Sequence, residues 1–225
     1  MGQASKRQKP ISRRGRPRRG EPSGETLRAQ VIEKARSVYA AQGETGMSVA
    51  QILTAAQISR PTFYRLFRSA SEVCEALIVD ANEQLRVCIF GTLLTPRDPL
   101  AQIRAVVAAY FGWAEALGPM THALYRDIAQ TGTHANRARE QIIREFVALL
   151  CQQAQLAGRE PPNALVADGV LRALEYLCSS AFAEGAPTAA QLEQHRNAAE
   201  QLVLGALVPD LITVPTSGTD VGASA

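Results

Sequence analysis

Apolar residues recur at helical spacing along most of this chain, and almost no stretch shows the strict alternation of a half-buried strand. Ser48–Phe67 is the most informative segment. Ser48 with Gln51 forms a capping box, and Val49, Ile52 and Leu53 share one face, which predicts a short helix of about two turns. After the small turn Ala55–Ile58, Ser59 caps a second helix near Arg60, with Pro61 in the first turn, where a missing N–H costs no hydrogen bond. On that helix Phe63, Leu66 and Phe67 point inward, leaving Arg60, Thr62, Tyr64 and Arg65 on or beside the outward face. Ser69 and Glu72 repeat the box and open a longer segment through Val73, Leu77, Leu85 and Ile89.

Breakers divide the remainder. Thr95–Pro99 leads into a helix carrying Leu100, Ile103, Val107, Tyr110 and Phe111, which ends at Gly118-Pro119. A shorter helix with Met120, Leu124, Tyr125 and Ile128 stops at Thr131-Gly132. Residues 135–157 form a long helix closed by Gly158, and a very apolar one then runs through Val166, Val170, Leu174, Leu177 and Phe182 to Gly185. The last is capped by Thr188 with Gln191 and reaches Leu207 before Pro209. The expectation is an all-α chain of about nine helices.

A basic, hydrogen-bonding helix held between two others reads as a helix-turn-helix, and DNA binding follows as the leading function. The run from Thr26 to Leu85 resembles the DNA-binding domain of the TetR (tetracycline repressor) family: a capped helix, a small-residue turn, and a helix ending in Thr62-Phe63-Tyr64-Arg65-Leu66-Phe67. The resemblance implies that Ser59, Arg60, Pro61, Thr62 and Arg65 enter the major groove or grip its flanking phosphates. It also implies that Tyr64 and Ser48 lie against the DNA backbone and that Phe63 and Phe67 are core. Two positions depart from the pattern. Gln57 stands where the turn usually has Gly, at some steric cost, and Ala70 replaces a Lys that commonly meets a phosphate.

Charge strengthens this reading. The first twenty residues hold eight Lys or Arg and no acid, so against a formal total of +3 the rest of the chain is acidic. Such a basic arm suits a polyanion and a salt-dependent affinity. Within it, Arg13–Gly20 resembles an AT-hook, an extended Arg-Pro core that would place Arg16 and Arg18 in a minor groove.

At 225 residues and 46% apolar content the chain can bury a core. No run of eighteen apolar residues suggests a membrane span, and the charged N-terminus has no apolar leader, so a cytoplasmic setting is expected. Cys74, Cys88, Cys151 and Cys178 are scattered, without a Cys-x-x-Cys pair or a His at metal-ligand spacing. They read as buried structural thiols, the alternative being a redox-sensing pair formed across the fold, with no metal and no cofactor expected.

The organisation expected is a disordered arm over 1–22, the DNA-binding domain over 23–85, a helical effector-binding and dimerisation domain over 86–210, and a disordered tail over 211–225. Segments 163–184 and 188–208, rich in Ala and Leu, suit a four-helix bundle with a second copy, so that a homodimer reads two half-sites of a near-palindromic operator. In the TetR family the C-terminal region commonly encloses a small-molecule pocket, and Tyr110, Trp113, His122 and Tyr125 are the candidate lining here. An enzyme is disfavoured, because no phosphate loop or nucleophile elbow occurs and His122, His134 and His195 have no catalytic company in the sequence. The reading is a DNA-binding regulator, a repressor released by an unknown small-molecule effector; the alternative is a non-specific architectural protein of AT-rich DNA.

Overall fold

Side-chain caps open most of the helices that the periodicity lays out. The structure, a computed structural model, describes residues 23–95, 97–156 and 158–207. Among these residues it is all helix: α1 (Gly24–Gly46), α2 (Val49–Ala56), α3 (Arg60–Leu66), α4 (Ala70–Leu93), α5 (Pro99–Ala116), α6 (Met120–Ala129), α7 (His134–Leu156), α8 (Ala164–Ala181) and α9 (Ala189–Leu207). Ser23, Ser48, Ser59, Ser69, Asp98 and Asn163 each accept a backbone N–H in the first turn of the helix they precede. Thr188 and Gln191 form the predicted box ahead of α9. The basic arm, with Arg16 and Arg18, and the tail after residue 211 lie outside the described residues.

One continuous core runs from Val31 and Tyr39 in α1 through Leu77 and Phe111 to Ala199 and Val203 in α9. Helix α1 packs against α2, α4 and α6, while α4 continues on to α5 and α7. The expected boundary at residue 85 therefore falls inside α4, which runs unbroken from the small N-terminal head into the body. Helices α8 and α9 pack on each other, and also on α7 and α5 respectively.

Near its end α1 breaks at Gly43, whose φ of 66° is readily available only to glycine. A Cβ there would run into the Arg126 guanidinium and crowd the Asp127 carboxylate at 3.1 Å. The break frees the Glu44 N–H, which donates to Asp127 Oδ2 at 2.8 Å, and the Glu44 carboxylate takes the His134 N–H at 2.8 Å at the start of α7. This joint ties the head to α6 and α7.

The cysteine expectation needs correcting. Cys74 and Cys178 are buried, but Cys88 is exposed and Cys151 only half-buried. Cys88 lies on a solvent-facing side of α4 together with Val87 and Phe90, an apolar stripe that periodicity alone cannot tell from a core stripe.

Candidate nucleic-acid interface and ligand cavity

The helix-turn-helix is built from reciprocal caps. Ser48 donates its N–H to Gln51 Oε1 at 2.8 Å, while Gln51 returns its N–H to Ser48 Oγ at 3.4 Å. Helix α2 closes on Gln57, whose φ of 54° and ψ of 41° are left-handed, and the following Ile58 N–H reaches back to the Leu53 carbonyl at 3.3 Å. The position that usually carries Gly thus adopts the conformation Gly would favour, with a side chain in place. Ser59 Oγ accepts the Thr62 N–H at 3.3 Å, and Pro61 occupies the first turn of α3. Ser69 accepts the Glu72 N–H, but the Glu72 carboxylate takes the Arg68 N–H at 2.7 Å, so the second expected box closes one residue early.

Phe63 and Phe67 are buried with ring centroids 5.7 Å apart, and the Arg28 guanidinium of α1 lies 4.7 Å over the Phe67 ring. These contacts fix the rotation of α3. As a result Arg60, Pro61, Tyr64 and Arg65 are exposed and Thr62 is half-buried, with Ser48 and Ser59 exposed at the two helix starts. Tyr64 keeps 51% of its surface in solvent while its ring edge packs on Phe63. Among the described residues, Arg60, Arg65 and Arg68 enter no ion pair. A cationic, hydrogen-bonding ridge on a rigid helix is suited to phosphates and base edges.

The body holds a cavity of about 430 Å³ lined by all six helices from α4 to α9. Its wall is largely aliphatic, with Leu85, Ile103, Ile142, Phe146 and Leu174 among the lining side chains. Tyr110 and Tyr125 meet in it, hydroxyl to hydroxyl, at 3.0 Å. Burial pushes both phenols well above their ordinary range, so they serve as neutral hydrogen-bonding groups. Trp113 stacks on Tyr110 at 5.7 Å, but its indole N–H is spent on the Ala81 carbonyl of α4 at 2.9 Å. His122 does not line the cavity. It stands exposed one turn nearer the start of α6, its Nδ1 3.4 Å from the Phe182 carbonyl at the end of α8.

Sequence reasoning missed the cavity's charged pair. Arg139 donates to Glu175 at 2.8 Å, and both side chains are mostly buried. Burial raises the Glu175 carboxyl above the usual range while Arg139 opposes the shift. The sequence did carry a hint, a carboxylate set between Leu174 and Leu177 on an otherwise apolar helix.

No family model and no curated protein matches the chain by sequence. Solved structures do match in fold. The fatty acid degradation regulator FadR from Bacillus halodurans aligns with a TM-score of 0.66 at 17% identity, over 81% of this chain and 96% of that one. A protein assigned to the TetR-family transcriptional regulators from Syntrophomonas wolfei gives 0.66 at 14% identity, over 83% and 99%. A TetR-family member from Streptomyces coelicolor gives 0.50 at 22% identity, over 79% and 90%. The fold of this chain is that of the TetR-family transcriptional regulators.

Proposed function

We propose that the chain is a sequence-specific DNA-binding transcriptional regulator, a repressor that acts in the cytoplasm as a homodimer on a near-palindromic operator. The observation that carries this reading is the face of α3, where Arg60, Tyr64 and Arg65 project unpaired into solvent from a helix pinned by buried Phe63 and Phe67. Ser48, Ser59, Pro61 and Thr62 flank that ridge and complete the DNA contact set. Exposed Leu165 and Tyr176 on α8 support a second copy docking there, since large apolar side chains left in water favour a partner. Two α3 helices set by that pair would read two half-sites.

The effector enters the cavity of the body. Its aliphatic wall, the neutral Tyr110–Tyr125 hydroxyl pair and an inner cation already matched by Glu175 favour a largely apolar compound with one hydrogen-bonding group. Release from DNA requires that the compound bind the non-operator state more tightly, by about 1.4 kcal/mol for each tenfold shift in population.

The test is selection of bound duplexes from a random pool, followed by a metabolite screen for release of the selected site. A near-palindromic consensus bound at physiological salt is expected, and equal affinity for all duplexes would reject the reading. The arm's charge favours a second reading, an architectural protein of AT-rich DNA. Deleting residues 1–20 separates the two. In a regulator the deletion weakens binding and flattens its salt slope but leaves the preference for the selected site, whereas in an architectural protein it removes binding altogether.

A further inference from the structure

A third cluster of chemistry lies apart from both the α3 ridge and the cavity. Glu44 of α1, Cys74 of α4 and His134 of α7 bring a carboxylate oxygen, a thiol sulfur and an imidazole nitrogen within 4.8 Å of one another, the only such trio of metal-ligating groups among the described residues. They come from three helices and from distant parts of the sequence, so linear spacing gave no hint of them. Cys74 is fully buried, and the Glu44 and His134 side chains keep only 14% and 21% of their surface.

The surroundings are rich in negative and under-matched groups. Asp127, almost wholly buried, faces the same joint through the Glu44 N–H, and the nearest permanent cation is a half-exposed Arg126 at 3.7 Å. The Tyr39 hydroxyl is buried there facing the Asp127 carboxylate, with Cys74 and Glu44 close by. Buried carboxylates are ordinarily held by cations or metals. A divalent ion would answer the charge.

We propose that Glu44, Cys74 and His134 form a binding site for one divalent transition metal of the zinc class, which clasps α1 and α4 of the head to α7 of the body. The mixed sulfur, nitrogen and oxygen donors suit zinc or cobalt rather than magnesium or calcium. Three protein ligands leave a fourth tetrahedral position for water. Metal–ligand bonds of about 2.0–2.3 Å at tetrahedral angles set the donors roughly 3.3–3.6 Å apart, so the Glu44 oxygen and His134 nitrogen, now 2.7 Å apart, must open while the sulfur closes in, a change within the reach of side-chain rotation. His134 would ligate through Nδ1 with its proton on Nε2. Glu44 would turn Oε1, now 2.7 Å from Nδ1, onto the ion and keep Oε2 on the His134 N–H. Cys74 would exchange its S–H bond for a sulfur–metal bond, releasing one proton to solvent with no change of oxidation state.

The test uses the untagged full chain carrying Cys88→Ser and Cys151→Ser, which removes the two accessible thiols, titrated with cobalt(II) under reducing, oxygen-free conditions. The expected result is a thiolate-to-cobalt charge-transfer band that saturates at one ion per chain, is displaced by zinc, and comes with a higher thermal midpoint. Cys74→Ser should abolish the band, and His134→Gln should weaken binding at least about tenfold. Absence of the band, or its survival in Cys74→Ser, overturns the proposal. If Cys74→Ser gives no helical circular-dichroism spectrum, Glu44→Gln and His134→Gln carry the test, and unchanged cobalt affinity in both overturns it equally.

Discussion

The α3 ridge and the seams between the body helices use the same residue in opposite ways. On α3 and just beyond it, Arg60, Arg65 and Arg68 stand in solvent with no acidic partner among the described residues. In the body, Arg86, Arg139 and Arg172 each engage two carboxylates: Glu83 and Glu145, Glu140 and Glu175, and Glu140 and Asp168 respectively. Several of these pairs bridge helices, α4 to α7 and α7 to α8, so they help fix how the body packs. An arginine whose charge is already matched positions neighbours, whereas an unmatched one on a rigid helix keeps its full attraction for an anion. The contrast separates residues that hold the molecule together from residues held ready for a partner.

The largest expected effect of breaking this division is in the cavity wall. Arg139→Met leaves Glu175 buried beside apolar side chains and should lower unfolding free energy by about 3 kcal/mol, read by urea denaturation. Adding Glu175→Leu should restore most of that loss, and an unchanged midpoint in Arg139→Met would show that the pair is not structural. Next in size, Arg60→Ala should cost about 1–3 kcal/mol of operator affinity in an anisotropy titration while leaving the thermal midpoint where it was. A fall in thermal stability matching that of Arg139→Met would erase the distinction between the two regions. Tyr64→Ala should behave in the same way.

Gln57→Gly should raise stability by about 0.5–1 kcal/mol by relieving the left-handed turn, and a loss would mean that the Gln57 side chain contributes contacts beyond its backbone. The smallest effect is with pH. Arg172 and Arg86 hold Glu140 and Glu145 below the ordinary carboxylate range, chiefly through hydrogen bonds. Their contribution is therefore present at neutral pH, above the ordinary carboxylate range, and is lost as pH falls through those lowered values. Both carboxylates are more than a third exposed, so solvent screening keeps the effect modest. Comparing urea midpoints at pH 7 and below pH 4 measures it, and Arg86→Gln should reduce the difference.

Much of the head was legible because its information is local. A cap and its target lie three residues apart, so Ser48, Ser59 and Ser69 announced their helices, and Gln57 could be identified as a strained position before its φ was known. In the body, breakers and periodicity located the helices but not their facing. Cys88 was read as buried because an apolar stripe looks the same whether it meets a core or solvent, and His122 was grouped with Tyr125 although only Tyr125 reaches the cavity. Partners across helices could not be assigned from the sequence, even where a buried carboxylate such as Glu175 stood out. Arg139 with Glu175, and Glu44 with Cys74 and His134, depend on how helices are stacked, which spacing along one chain does not encode.

Helix α4 also sets a mechanical scale. Its 24 residues, at about 1.5 Å of rise each, make a rod of about 36 Å with one end beside the recognition ridge and the other beside the cavity wall. Pivoting such a rod by roughly 5° swings its far tip by about 3 Å, close to the roughly 3.4 Å step from one base pair to the next. Under the function proposed above, a small compound that shifts the rear of this lever by less than its own width would carry the front out of register with the grooves.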